Sequence, residues 1–302
     1  MNKWTGLLRR EWLEHRSALT WGPAVVLGLV LLVGLITLLA NDHGEIAINI
    51  EQSYSGDRAP IEAPPGDLGL MEMIAAVTVD VAGSTDEELE QKLALVQTGL
   101  AQPFHWLFKL LVFLVLLSSL YDERKDASVL FWKSLPVSDT QTVASKLIFV
   151  LGVAPLMTIA AILIAQCLSL MLLTIYVEEG MGSRIWVASQ FWQQPFQLVL
   201  TYIQLGIWML PLATWTLLIS SAVNRMPALY VFGLPWLLVM FETILLGTSY
   251  LAAAISTQLK GWLALSSVGG PGFFSGQLLG GVALAVLFFY VTVFFRRRNN
   301  EI

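Results

Sequence analysis

Charged side chains are scarce in this sequence. Only 13% of its 302 residues are Asp, Glu, Lys or Arg, whereas 56% are hydrophobic, and a soluble globular domain carries about 25% charged residues. A water-soluble fold would therefore have too little polar surface. The mean hydropathy of +0.69 could also arise from one large buried core. The distribution of the apolar residues along the chain distinguishes such a core from membrane spans.

Cysteine, histidine and catalytic motifs are also nearly absent. The single cysteine, Cys167, excludes an intramolecular disulfide and a multi-cysteine metal site. The three histidines, His15, His43 and His105, are too scattered to indicate a metal centre. The sequence has no G-x-x-x-x-G-K-[ST] phosphate loop, no H-E-x-x-H and no G-x-S-x-G. We therefore expect no enzymatic activity, metal or cofactor in this chain.

What the sequence does have is long apolar blocks. Residues 19–40, 147–177 and 196–223 contain no charged residue, and each exceeds the roughly 20 residues that cross ~30 Å of hydrocarbon. Three weaker blocks add to these: 104–121, 228–249 and 277–295. The pattern predicts an all-α membrane protein with six transmembrane helices. Two shorter apolar patches, 251–255 and 262–265, are too short to span and indicate re-entrant or interfacial helices.

The basic residues predict the orientation. Six spans put both termini on one side, and twelve of the 17 basic residues fall on that side, four on the other and one, Lys109, within a span. The positive-inside rule therefore predicts cytoplasmic termini. The net charge of −5 says little about partners, because residues 41–102 carry twelve of the 22 acids. We expect no nucleic-acid partner, since the basic residues lie where topology requires them.

Two regions flank or interrupt the predicted spans near the start of the chain. Residues 1–18 have the spacing of an amphipathic interface helix, and residues 19–302 form the six-span domain. Residues 41–102 predict a small extracytoplasmic subdomain, with two helices and a short strand pair as one arrangement. Within it, Ser84 and Glu87 match a capping box before a helix.

The segment between spans two and three is the most informative. Residues 121–146 read YDERKDASVLFWKSLPVSDTQTVASK. They resemble the signature loop of ABC-2 type permeases, in which a span ends in an acidic-basic pair, a short helix follows, then a Leu-Pro-small-Ser turn, and a lysine opens the next span. The matching residues are Glu123, Arg124, Leu130, Leu135, Pro136, Val137, Ser138, Ser145 and Lys146. The layout is similar too, since that family has a long weakly apolar segment before its last span, here 249–276.

The resemblance implies a permease subunit of an ATP-binding cassette exporter in the cytoplasmic (inner) membrane of a bacterium. It implies two separate ATPase subunits, which would hold ATP and Mg, and a second copy of this permease or a homologous one, all within membrane lipid. Residues 122–138 would be the cytoplasmic coupling loop. The residues that we expect to dock the ATPase are Glu123, Arg124, Leu130, Phe131, Trp132, Lys133 and Pro136. Anchoring of Phe131 and Trp132 at the lipid interface is the alternative.

Other functions remain open at this point. Lys109 and Glu242 lie inside spans two and five at similar calculated depths, ~18 and ~21 Å, so we predict that they pair. Lys109 could instead snorkel to the headgroups, and Glu242 could stay protonated or face water. Such charges also suit a transporter or channel that needs no ATPase. A membrane scaffold or assembly factor that binds a partner through residues 41–102 is the third possibility.

Overall fold

The computed structural model describes residues 3–41, 85–125, 137–177, 181–264 and 276–298. The regular elements in these ranges are all helical, with no strand among them. Six of the helices are long and apolar enough to cross a membrane. The prediction of an all-α chain with six helices of spanning length is therefore confirmed.

The α-helices are numbered here in chain order. Two irregular turns interrupt the series: a π-helical turn, Phe149–Val153, joins α3 to α4, and a 3-10 turn, Phe191–Gln193, precedes α6. The helices are α1 Lys3–Asn41, α2 Asp86–Lys125, α3 Asp139–Ile148, α4 Ala154–Tyr176, α5 Gly182–Ala188, α6 Gln194–Ala222, α7 Pro227–Leu246, α8 Tyr250–Ala264 and α9 Gly276–Arg298.

The predicted interface helix, residues 1–18, and the end of the predicted extracytoplasmic subdomain, residues 41–102, are parts of longer helices. Residues 3–18 are continuous with the first span in α1, and their location at the membrane interface stays a prediction. Residues 86–102 are continuous with the second span in α2. The cap of α2 lies one residue later than predicted: the Thr85 backbone N–H donates to the Glu88 carboxylate (3.0 Å), and the Glu88 N–H donates to the Thr85 hydroxyl. Ser84 and the rest of 42–84 lie outside the described residues.

The π-helical turn has a cause in the sequence. Pro155 has no backbone N–H, so Leu151, four residues earlier, loses its α-helical donor. The turn Phe149–Val153 contains Leu151, and the Ala154 N–H reaches back five residues to the Phe149 carbonyl. Local π geometry therefore accommodates the proline at the start of α4. Pro211 and Pro235 lie inside α6 and α7.

The region before the last span contains a helix too short to cross the bilayer. Helix α8 has 15 residues, about 22 Å at 1.5 Å per residue, against ~30 Å of hydrocarbon. It follows α7 after a short turn in which Gly247 has φ +62°, a conformation that glycine adopts without steric cost. Residues 265–275 lie outside the described residues.

The chain divides into two compact units. One comprises residues 1–20, 108–157 and 200–302, and the other comprises 21–107 and 158–199. The core of the first unit is apolar and aromatic; among its fully buried side chains are those of Val112, Leu116, Phe149, Trp208 and Leu217. Lys109, Glu123 and Glu242 all belong to this unit.

The second unit buries aliphatic side chains and a polar pair. Among its most buried side chains are those of Leu89, Leu93, Ile162 and Ile185. The Gln97 amide donates to the Ser189 carbonyl at 3.1 Å and thereby satisfies a polar group in the core.

Candidate functional site

Glu123 is the centre of a buried ion-pair network in the first unit. It follows the apolar stretch 104–121 in the last turn of α2, and only 5% of its surface is exposed. Its Oε1 lies 2.8 Å from Arg10 Nη2 and 2.9 Å from Lys146 Nζ, and its Oε2 lies 2.8 Å from Arg296 Nη1. One carboxylate thus joins helices α1, α3 and α9 to the end of α2.

The three cations around Glu123 contact further acids. Lys146 Nζ lies 3.0 Å from Glu11 Oε1, and Arg296 Nε lies 3.0 Å from Asp139 Oδ1. Arg10 Nε pairs with Glu14 Oε1 at 2.7 Å. We refer to this set as the charge cluster; its members are Arg10, Glu11, Glu14, Glu123, Asp139, Lys146 and Arg296.

The cluster keeps its central acid ionised. Burial alone would raise the pKa of Glu123, but the positive charges of Lys146, Arg296 and Arg10 outweigh burial and lower it to about 2. Removing one partner from a buried ion pair leaves an uncompensated charge, which costs about 3–5 kcal/mol. The cluster therefore resists local separation of the helix ends that it joins.

Arg124 connects α2 to α6. Its Nη2 donates to the carbonyls of Ser220 and Val223, both at 2.6 Å, and its Nη1 donates to Asn224 Oδ1 at 3.0 Å. The Ser220 carbonyl lies in the last turn of α6 and the Val223 carbonyl directly after it, where backbone acceptors lack helical donors. The Ser220 hydroxyl adds a second connection, because it donates to the Leu117 carbonyl at 2.8 Å.

Helix α3, the next described helix after Arg124, begins with a side-chain cap. Ser138 and Gln141 form a reciprocal capping box at the start of α3. The docking residues Leu130, Phe131, Trp132, Lys133 and Pro136 lie outside the described residues.

The two docking residues that lie within the described ranges make contacts inside the chain. Glu123 pairs with cations of other helices, and Arg124 donates to the end of α6. Their part in docking an ATPase stays a prediction.

Lys109 and Glu242 have different partners in the structure. Lys109 is 2% exposed, and its Nζ lies 5.6 Å from the ring centroid of Trp262 in α8, within the range of a cation–π contact. The Glu242 carboxylate accepts hydrogen bonds from the Thr248 hydroxyl and the Tyr250 and Leu251 N–H groups. A Lys109–Glu242 pair is not among the ion pairs of the described residues.

The cause of this difference is the turn between α7 and α8. It places the first N–H groups of α8 against Glu242, and such groups have no acceptor within their own helix. A carboxylate at a helix N-terminus is further favoured by the helix dipole. The depth calculated from a residue's position within a span does not reveal that Glu242 can cap the next helix.

Sequence reasoning missed most of the charge cluster. The spacing of Glu11, Asp139 and Arg296 in the sequence does not indicate that they meet. One signal was available: Glu11 and Glu123 are acids next to predicted spans, where positive-inside topology favours cations.

Comparison of the chain with protein-family models, with curated proteins and with solved structures gives no match.

Proposed function

We propose that this chain is the permease subunit of an ABC-2 type exporter, in which a separate ATPase presses on the segment that follows α2. The single observation that supports this most directly is the placement of the charge cluster. Glu123 lies just before segment 126–136 and Asp139 lies just after it, and Arg296 contacts both acids. Both ends of the proposed docking segment are therefore anchored to one cation.

The anchoring gives the segment a mechanical role. A force applied to 126–136 reaches Glu123 and Asp139 directly, and through them α1 and α9, because Arg10 and Arg296 pair with Glu123. Coupling between distant sites requires such contiguous contacts, with an element that has two arrangements. In the proposed cycle, ATP-driven closure of two ATPase subunits moves these helix ends together and changes access to the transport path.

The remaining parts of the proposal rest on the apolar helices and on the resemblance of residues 121–146 to the loop of ABC-2 type permeases. The long apolar helices place it in a membrane; we assign it to the cytoplasmic membrane of a bacterium, with both termini cytoplasmic. ATP and Mg would bind the partner ATPase, because the sequence has no phosphate loop. A second permease copy or a homologous permease would complete the transporter.

The test has two steps: a search of the neighbouring reading frames for an ATPase with a Walker A motif, and copurification of this chain with that ATPase. The Phe131→Ala, Trp132→Ala double variant should lose ATPase binding by tenfold or more, because buried aromatic anchors dominate protein interfaces. The matched control is Trp192→Ala with Phe196→Ala, which removes two exposed aromatic side chains (83% and 69% exposed) elsewhere in the chain. All variants should remain monodisperse in detergent.

The same preparation separates this proposal from transport without an ATPase. Normal ATPase binding by the Phe131, Trp132 variant would overturn the docking assignment. An ATPase-independent transporter is the second candidate, and it is favoured by the buried Lys109 within a predicted span. Solute movement in proteoliposomes driven by an ion gradient, with no ATPase added, would favour it and contradict the first proposal.

A further inference from the structure

Three potential metal ligands lie together on one side of α1. Glu11, Glu14 and His15 are spaced i, i+3 and i+4, which places them on neighbouring positions of a helix surface. One ligand atom from each lies within 4.8 Å of the other two. Such a set combines one imidazole nitrogen with two carboxylate oxygens, a donor set that Zn²⁺ and related divalent ions accept.

Two atoms in this group are buried without a hydrogen bond. Glu11 is 1% exposed, and its Oε1 accepts from Lys146. Its Oε2 and His15 Nε2 are buried with no hydrogen-bond partner among the described residues. The two atoms lie 4.0 Å apart, which is too far for a hydrogen bond. Two ligands about 2.1 Å from one tetrahedral metal are about 3.4 Å apart, so a small side-chain rotation would allow both to bind one ion.

We propose that Glu11, Glu14 and His15 bind one divalent transition-metal ion of the zinc type. Glu11 Oε2 and His15 Nε2 are the buried ligands, and Glu14, whose side chain is 41% exposed, supplies a third from the water-accessible side. Water completes the coordination. The bound ion supplies a partner for the two buried ligand atoms and stabilises the part of α1 that contacts the charge cluster.

The test uses the full chain, purified in detergent and treated with a chelator. Titration with Zn²⁺ in a calorimeter should give one site per chain, and Co²⁺ should produce visible absorption bands of a low-symmetry site. His15→Ala and Glu14→Gln should each weaken binding by about tenfold to a hundredfold or more. Glu87→Gln, the same chemical change at an exposed position of α2, should leave binding unchanged. Zn²⁺ should raise the Tm of the wild-type chain and not that of His15→Ala.

Two results would overturn the proposal. One is an apo wild-type chain that binds Zn²⁺ no more tightly than His15→Ala. The other is a Tm that Zn²⁺ raises equally in the wild-type chain and in His15→Ala. Neither measurement needs an ATPase, so failure here leaves the proposed transport function intact.

Discussion

Glu242 Oε1 accepts a hydrogen bond of 2.8 Å from the backbone N–H of Tyr250, the first residue of α8. The other oxygen accepts from the Leu251 N–H at 2.9 Å. A residue inside α7 thereby caps the next helix and closes the turn between them. An acid that is expensive within a membrane span is stabilised here by helix N-terminal donors rather than by an opposite charge.

Glu242→Ala should loosen the start of α8. With the carboxylate gone, the Tyr250 and Leu251 amides lose their acceptors, so their hydrogen exchange should speed up markedly. Thr243→Ala is the control, because the Thr243 hydroxyl donates only to the Val239 carbonyl in its own helix. Hydrogen–deuterium exchange with mass spectrometry measures both. Equal protection of 250–252 in the two variants would contradict the capping role.

Glu123→Gln should destabilise the chain more than any neighbouring charge change. The substitution leaves Arg10, Lys146 and Arg296 with less compensation in a buried site, and we expect a loss of about 3–5 kcal/mol. Asp122→Asn, one residue earlier and exposed, should have little effect. Thermal unfolding in detergent measures the difference.

A double variant tests the mechanism of that loss. Adding Lys146→Met to Glu123→Gln removes one uncompensated cation, although it also leaves Glu11 without its ammonium partner. Interacting residues are non-additive, so the double variant should lose less stability than the sum of the two single losses. Strict additivity would show that Glu123 and Lys146 act independently.

The spans and one helix cap could be predicted because both depend on neighbouring residues. Apolar length identifies the spans, and Ser138 with Gln141 forms a capping box within four residues. The cap of α2 was misplaced by one residue because Ser84-Thr85-Asp86-Glu87-Glu88 contains two overlapping matches to the same motif. Local sequence does not distinguish them.

The charge cluster could not be predicted in the same way. Arg10 and Arg296 contact the same carboxylate although they are at opposite ends of the chain. Nothing in the spacing of either residue specifies the other, since only the packing of α1 and α9 brings them together. The positive-inside rule explains why both are basic and gives no information about which acid they meet.

Lowering the pH should not weaken the cluster until strongly acidic conditions. The folded-state pKa of Glu123 is depressed to about 2, so its stabilising contribution is complete above its unfolded-state pKa, about 4.3. The contribution declines as the pH falls from there toward 2. The Tm difference between wild type and Glu123→Gln should therefore be constant from about pH 5.5 to 8. If this Tm difference disappears near pH 6 instead, the neighbouring cations do not keep Glu123 ionised.

The predicted topology is open to a direct measurement. Reporters fused after Arg298 and inserted in segment 122–138 should both give a cytoplasmic signal, because most basic residues flank these points. A reporter near Pro64 should give an external signal. An external signal after Arg298 would require an odd number of spans and contradict the six-span arrangement.

Exchanging the charges of Lys109 and Glu242 should not restore what either reversal removes. Lys109 lies over Trp262, and Glu242 caps α8. A glutamate at 109 would place a negative charge against the face of an aromatic ring, which is electron-rich. A lysine at 242 would place a cation against helix N-terminal N–H groups, which carry partial positive charge. Each reversal therefore introduces its own unfavourable contact, and the two costs should accumulate in the double variant.

The measurement is the Tm of the two single variants and of the Lys109→Glu, Glu242→Lys double variant in detergent. We expect the double variant to be at least as unstable as the worse single variant. The conservative variants Lys109→Arg and Glu242→Asp serve as controls, since they keep the sign of each charge. A double variant that recovers wild-type stability would show that the two side chains form an ion pair with each other, and that the cap at α8 is secondary.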